Sequence, residues 1–119
     1  MSSRTKLSPF GAALRKLRID ADETQQQLAK SLHYASTFIC GVEIGTKKIP
    51  DSLITQIEAH YEKKGIEVKD NLRALAAVSN GEVSLHGLSS EHKLLTSQLA
   101  SMKLTSEQCA YLTEKIKEL

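Results

Sequence analysis

The stretch TQQQLAKSLHYASTFICGVEIG, residues 24–45, decides how this chain is read. Thr24 is a natural N-cap for QQQLAKSL, whose Leu28, Ala29 and Leu32 fall on one side of a helix. His33-Tyr34 interrupts the pattern. A second helical segment, about 35–43, turns Ile39 and Val42 inward, and Gly45 closes it in the left-handed region. Two short helices crossing steeply can bury Leu28, Leu32, Tyr34, Ile39 and Val42 only if a small side chain sits at the crossing. Ala29, set against Ile39, is that residue. Ala35, Ser36, Thr37, Phe38, Cys40, Gly41 and Ile44 are then left facing outward.

The flanking sequence is also helical in period. Ser8-Pro9 is a start signal for a helix with Phe10, Ala13, Leu14 and Leu17, and Asp20 to Glu23 breaks it. After TKKIP, Asp51 is expected to cap a fourth helix carrying Leu53, Ile54, Ile57 and Tyr61, stopped at Gly65. A fifth, about 69–79, carries Leu72, Leu75, Ala76 and Val78 and stops at Gly81. In EVSLHGL the pattern alternates, with Val83, Leu85 and Gly87 between Glu82, Ser84 and His86, which predicts a short extended segment. Ser89 or Ser90 then caps a helix with Leu94, Leu95, Leu99 and Met102. Thr105-Ser-Glu-Gln108 is a capping box opening a last helix, with Cys109, Leu112, Ile116 and Leu119 in a stripe. The expected fold class is all-α, with residues 9–80 as one domain and 81–119 as a C-terminal helical extension.

Composition narrows the function. Aromatic residues make up 4% of the 119, with no Trp, so the core is expected to be mostly Leu, Ile, Val and Ala. No apolar run nears the roughly 18 residues of a membrane span, and MSSRTKLSPFG has no secretory character. A cytoplasmic protein with reduced cysteines is expected. Net charge is +2, unevenly spread: residues 1–50 hold eight Lys/Arg against four acids, and residues 51–119 hold eight against ten. The basic half is the candidate surface for a polyanion. The histidines (33, 60, 86, 92) have no zinc-type spacing with the cysteines, so no metal and no cofactor is expected. Without a phosphate loop, a nucleophile elbow or paired carboxylates, no catalytic residues and no enzyme are expected.

A short helix with small outward side chains suits a nucleic-acid groove. Its backbone can approach closely, hydroxyls can bond base edges or phosphates, and apolar groups can meet a thymine methyl. Residues 10–61 resemble the helix-turn-helix family of phage lambda-type repressors and bacterial xenobiotic-response-element regulators. The matching pieces are Leu14-Arg15-Lys16-Leu17-Arg18, Thr24-Gln25-Gln26-Gln27-Leu28-Ala29 and Val42-Glu43-Ile44-Gly45. The resemblance implies a five-helix DNA-binding domain of a bacterial or phage transcriptional regulator, usually a repressor. It would bind double-stranded DNA as a homodimer on a palindromic operator.

Position by position, the resemblance implies that Gln25 bonds a phosphate and steadies the reading helix, and that Ser36, Thr37, Cys40 and Gly41 read bases. Phe38 touches backbone or a thymine methyl, and Lys47 and Lys48 meet phosphates. Arg18 and Glu43 form a pair tying the first helix to the third. On the residues alone, Phe38 fits the core equally well, Lys47 and Lys48 fit a solvated loop, and Cys40 fits either a small filler or a redox sensor. Cys109, on an apolar stripe, is expected in the core. Two departures from the family stand out: His33 occupies the turn where Gly is usual, and the reading positions lack Gln, Asn or Arg. Shape readout, an arm carrying Arg4 and Lys6, or fixed half-site spacing would then contribute to specificity. More loosely, residues 66–119 resemble the dimerising part of small regulators of this family. Val83, Leu85, Leu95, Leu99, Leu112 and Ile116 are its candidate contacts, with Val83 and Leu85 on a strand edge that could pair with its twin. The alternative partners are a toxin, if the chain is an autoregulating antitoxin, or another protein held by the same fold.

Overall fold

A computed structural model describes residues 6–119 and divides the chain into two units, Met1–Val83 and Ser84–Leu119. Arg4 lies outside the described residues. All regular structure among them is α-helical: α1 (Pro9–Asp20), α2 (Gln25–Leu32), α3 (Ser36–Ile44), α4 (Asp51–Lys63), α5 (Leu72–Asn80), α6 (Ser90–Ser101) and α7 (Ser106–Lys117). No helix is long and apolar enough to cross a membrane among the described residues.

In the first unit, α1 packs on α3 and α5, α2 on α3 and α4, and α4 on α5. Phe10, Leu14, Leu28, Ile39, Val42, Leu53, Ile57 and Leu72 are each at most 1% exposed in a single apolar cluster, with Ala29 among them. Local chemistry sets the boundaries. Ser8 caps α1 by accepting from Gly11 N–H at 3.0 Å, with Pro9 in the first turn. Thr24 and Gln27 form a reciprocal capping box on α2, at 3.1 and 2.8 Å. His33, at φ 65° and ψ 42°, supplies the left-handed residue that ends α2. Gly45, at φ 88°, does the same for α3.

Two boundaries differ from expectation. Pro50 rather than Asp51 is the N-cap of α4; Asp51 opens the first turn, where its negative charge faces the positive end of the helix dipole. α5 begins at Leu72, not near 69, because the Asn71 side chain accepts from Ala74 N–H at 3.1 Å and starts the helix there.

Gly11 is where α1 and α3 touch. A Cβ built on it would overlap the Glu43 carbonyl and sit 2.7 Å from the Glu43 Cα. Only a bare backbone fits at this crossing.

In the second unit, Ser89 caps α6 and a Thr105–Gln108 capping box starts α7. Neither helix buries a residue. Leu95, Leu99 and Ile116 are 56%, 36% and 61% exposed, and Leu94, Met102 and Tyr111 are also exposed. Cys109, expected in the core, is exposed too, because α7 has no core to enter. Upstream, EVSLHGL forms no strand. Residues 82–85 lack regular structure and run into a turn at His86–Gly87, closed by Leu88 N–H on Leu85 O at 3.2 Å. The expected strand edge for self-pairing is therefore absent, although Val83 itself is 60% exposed. Leu85 and Leu112 are half-buried.

Candidate nucleic-acid interface

Glu43 is the hub beneath the outward face of α3. Its side chain is 1% exposed, and both carboxylate oxygens are occupied. Arg18 Nε donates to Oε2 at 2.8 Å and Arg18 Nη2 to Oε1 at 3.0 Å, a two-bond fork. Gln25 Nε2 donates to the same Oε1 at 2.9 Å. The Glu43 carbonyl accepts from the Ser8 N–H at 2.9 Å and the Ser8 hydroxyl at 3.1 Å. One residue near the end of α3 thus joins α1, α2 and the segment before α1.

Gln25 stands at the start of α2. Expected to reach outward to a phosphate, it is half-buried, and its amide N–H is directed at Glu43. That bond holds the start of α2 against the end of α3, in keeping with the steadying role the resemblance implies.

Along α3, Thr37 and the N-cap Ala35 are exposed, Ser36, Cys40 and Ile44 are half-exposed, and Ile39 and Val42 are fully buried. Positions 36, 37, 40 and 44 share one helical face. Gly41 departs from expectation: it is buried, not outward. The loop after α3 folds back over it, so that an added Cβ would lie 2.5 Å from Lys47 Cγ. Its carbonyl accepts from the N–H groups of Gly45, Thr46 and Lys47 at 2.9–3.2 Å. Gly41 therefore terminates α3 and seats the Lys47 stem. Phe38 is partly buried against the core and stacked on Tyr34, with ring centroids 5.0 Å apart and planes 19° apart. Cys40 is a free thiol.

Lys47 and Lys48 are exposed on the loop that follows α3. That loop is fixed from behind by Asn80, at the end of α5. Asn80 Oδ1 accepts from Ile49 N–H at 2.9 Å, and its Nδ2 donates to the Ile49 carbonyl at 3.0 Å. Lys48 Nζ pairs with Glu82, and that bond with its charge holds the Glu82 carboxyl below the usual carboxylate range. Lys47 has no ionic partner among the described residues.

A second buried carboxylate steadies α2 from the other side. Glu23, its side chain 6% exposed, accepts from the Tyr61 hydroxyl at 2.8 Å, lies 2.7 Å from His60 Nε2 and is 3.6 Å from Lys64 Nζ. Burial first, then the Glu23 carboxylate, pushes the Tyr61 phenol far above its ordinary value, so it remains a donor. Neither this cluster nor the Asn80 clasp has a local sequence signal, because the partners are 31 or more residues apart.

The chain matches no family model, no curated protein and no solved structure. No group of His, Cys, Asp or Glu suited to a metal ion occurs among the described residues.

Proposed function

We propose that α2 and α3 form a helix-turn-helix of the lambda-repressor-like, xenobiotic-response-element kind. On this reading the chain is a sequence-specific, double-stranded-DNA-binding transcriptional regulator acting as a repressor. The observation that carries it is the contrast between the two sides of α3. The inner side is locked by the Arg18–Glu43–Gln25 network, and the outer side offers Ser36, Thr37 and Cys40 to solvent ahead of two exposed lysines. The left-handed turn at His33 and the bare crossing at Gly11 support the same geometry. Ser36 and Thr37 are the base-reading side chains, and Lys47 and Lys48 the phosphate contacts. Gln25, Gly41 and Phe38 serve mainly to hold the face in place.

Residues 9–80 are the DNA-binding domain in this reading, and 81–119 join two copies. The uncovered Leu95, Leu99 and Ile116 favour a protein partner for the C-terminal helices. A homodimer on a palindromic operator is the primary form. An antitoxin whose C-terminal helices hold a toxin is the second, favoured by the same exposed apolar positions.

Selection from random duplexes with the full chain tests both parts. It should enrich a two-fold symmetric sequence with half-sites about one helical turn apart. Lys47→Ala with Lys48→Ala should weaken binding to every sequence and flatten the plot of log affinity against log salt by about 1–2 units. Absence of salt-sensitive binding would remove the DNA reading, and an asymmetric single site would remove the homodimer.

Glu82 supplies an opposite prediction. It competes with phosphate for Lys48, so Glu82→Gln should tighten DNA binding severalfold at low salt and steepen the salt plot by up to about one unit. A filter-binding titration that finds the variant weaker than the parent would show that Lys48 faces away from the duplex.

A further inference from the structure

α4 sends one polar side chain to the turn between α2 and α3. Gln56 is half-buried; its Nε2 donates to the Leu32 carbonyl at 3.2 Å and its Oε1 accepts from the Tyr34 hydroxyl at 3.0 Å. Leu32 is the last residue of α2, where a carbonyl has no partner within its own helix. Tyr34 is the second residue of the turn, and its N–H closes the turn on the Ala29 carbonyl at 2.8 Å. The Tyr34 ring stacks on Phe38, the third residue of α3. Gln56 therefore grips both sides of the turn. It holds the end of α2 by a direct bond, and the first turn of α3 through the Tyr34–Phe38 stack.

We infer that Gln56 is a positioning residue for sequence discrimination, setting the angle at which α3 presents Ser36 and Thr37. This rests on the DNA-binding reading above. Hydrogen bonds to base edges weaken steeply with small errors in distance and angle. Attraction between lysines and phosphates falls off over several ångströms. Loosening the turn therefore lowers affinity for the preferred sequence while leaving general DNA affinity nearly intact. Tyr34 belongs to the same device, since it passes the constraint from α4 to α3.

The test uses the full chain and two duplexes, one enriched from a random pool and one scrambled to the same composition. Gln56→Met keeps the side-chain length and removes both bonds. Gln56→Glu keeps the acceptor for Tyr34, and Tyr34→Phe keeps the stack without the hydroxyl. Binding is measured well below each variant's unfolding midpoint. Gln56→Met should lower the preferred-to-scrambled affinity ratio at least fivefold, with scrambled binding changed less than twofold. Gln56→Glu should fall between Met and the parent, and Tyr34→Phe should lower the ratio at least threefold. An unchanged ratio overturns the inference, as does an equal loss on both duplexes, which is the mark of a merely structural role. If Gln56→Met does not fold, the Tyr34→Phe ratio decides by the same criterion. A parent chain that enriches no sequence overturns the DNA reading, and this inference with it, before any variant is compared.

Discussion

Glu43→Ala is expected to lower the unfolding free energy by roughly 3–5 kcal/mol, the range for removing one partner of a buried ion pair. The loss is large because the deletion leaves Arg18, with its side chain 11% exposed, facing no charge and frees the Gln25 amide at the same time. Against a total stability of about 5–15 kcal/mol for a native domain, such a change unfolds much of the population on mild heating. Equilibrium denaturation in urea measures it. Replacing both partners, Arg18→Met with Glu43→Leu, should recover a substantial part of the loss, since a well-packed apolar pair avoids the desolvation of two charges. A Glu43→Ala protein within about 1 kcal/mol of the parent would mean that the network contributes little to holding α3.

Gly11→Ala is the second large effect, and its sign is diagnostic. Alanine is favoured over glycine by about 1 kcal/mol in a helix interior, so propensity alone predicts stabilisation. At Gly11 the new methyl group meets the backbone of Glu43, which cannot rotate away as a flexible side chain could. Separating α1 from α3 also strains the two Ser8 bonds to the Glu43 carbonyl. A net loss of about 2–3 kcal/mol is expected, from the cost of overpacking a tight contact. Ala12→Gly, at the exposed neighbouring position, should cost only about 1 kcal/mol, as propensity dictates. Thermal melts of the two variants side by side give the comparison, and a Gly11→Ala protein as stable as the parent would contradict the close approach.

Elements whose signals are local were legible in the sequence. The Ser8-Pro9 start, the Thr24 N-cap, the Thr105 capping box and the left-handed closure at Gly45 depend on residues within one turn of each other. Helical periodicity likewise placed Leu28, Ile39, Val42 and Ile57 in the core. Helical period alone sets Gly41 outward, but Thr46 and Lys47 fold back to cover it, a contact the period of one helix does not contain. The Glu43 partner of Gln25 has no local signal because it is 18 residues away. Alternation in EVSLHGL suggested an extended edge, but no neighbouring strand exists among the described residues to stabilise one. The apolar positions on α6 and α7 are uncovered in the structure. Whether such a stripe is covered depends on a second surface, which one chain's pattern does not specify.

The division of labour within α3 has an evolutionary consequence. Its anchoring falls to Ile39, Val42 and Glu43, and Thr37 lies outside that anchorage on the solvent side. Exposed positions of this kind usually tolerate exchange within about 0.5 kcal/mol. If α3 reads DNA as proposed above, the scaffold can keep its shape while its outermost lettering is rewritten, and lineages descended from this chain would diverge in target without first evolving a sturdier core.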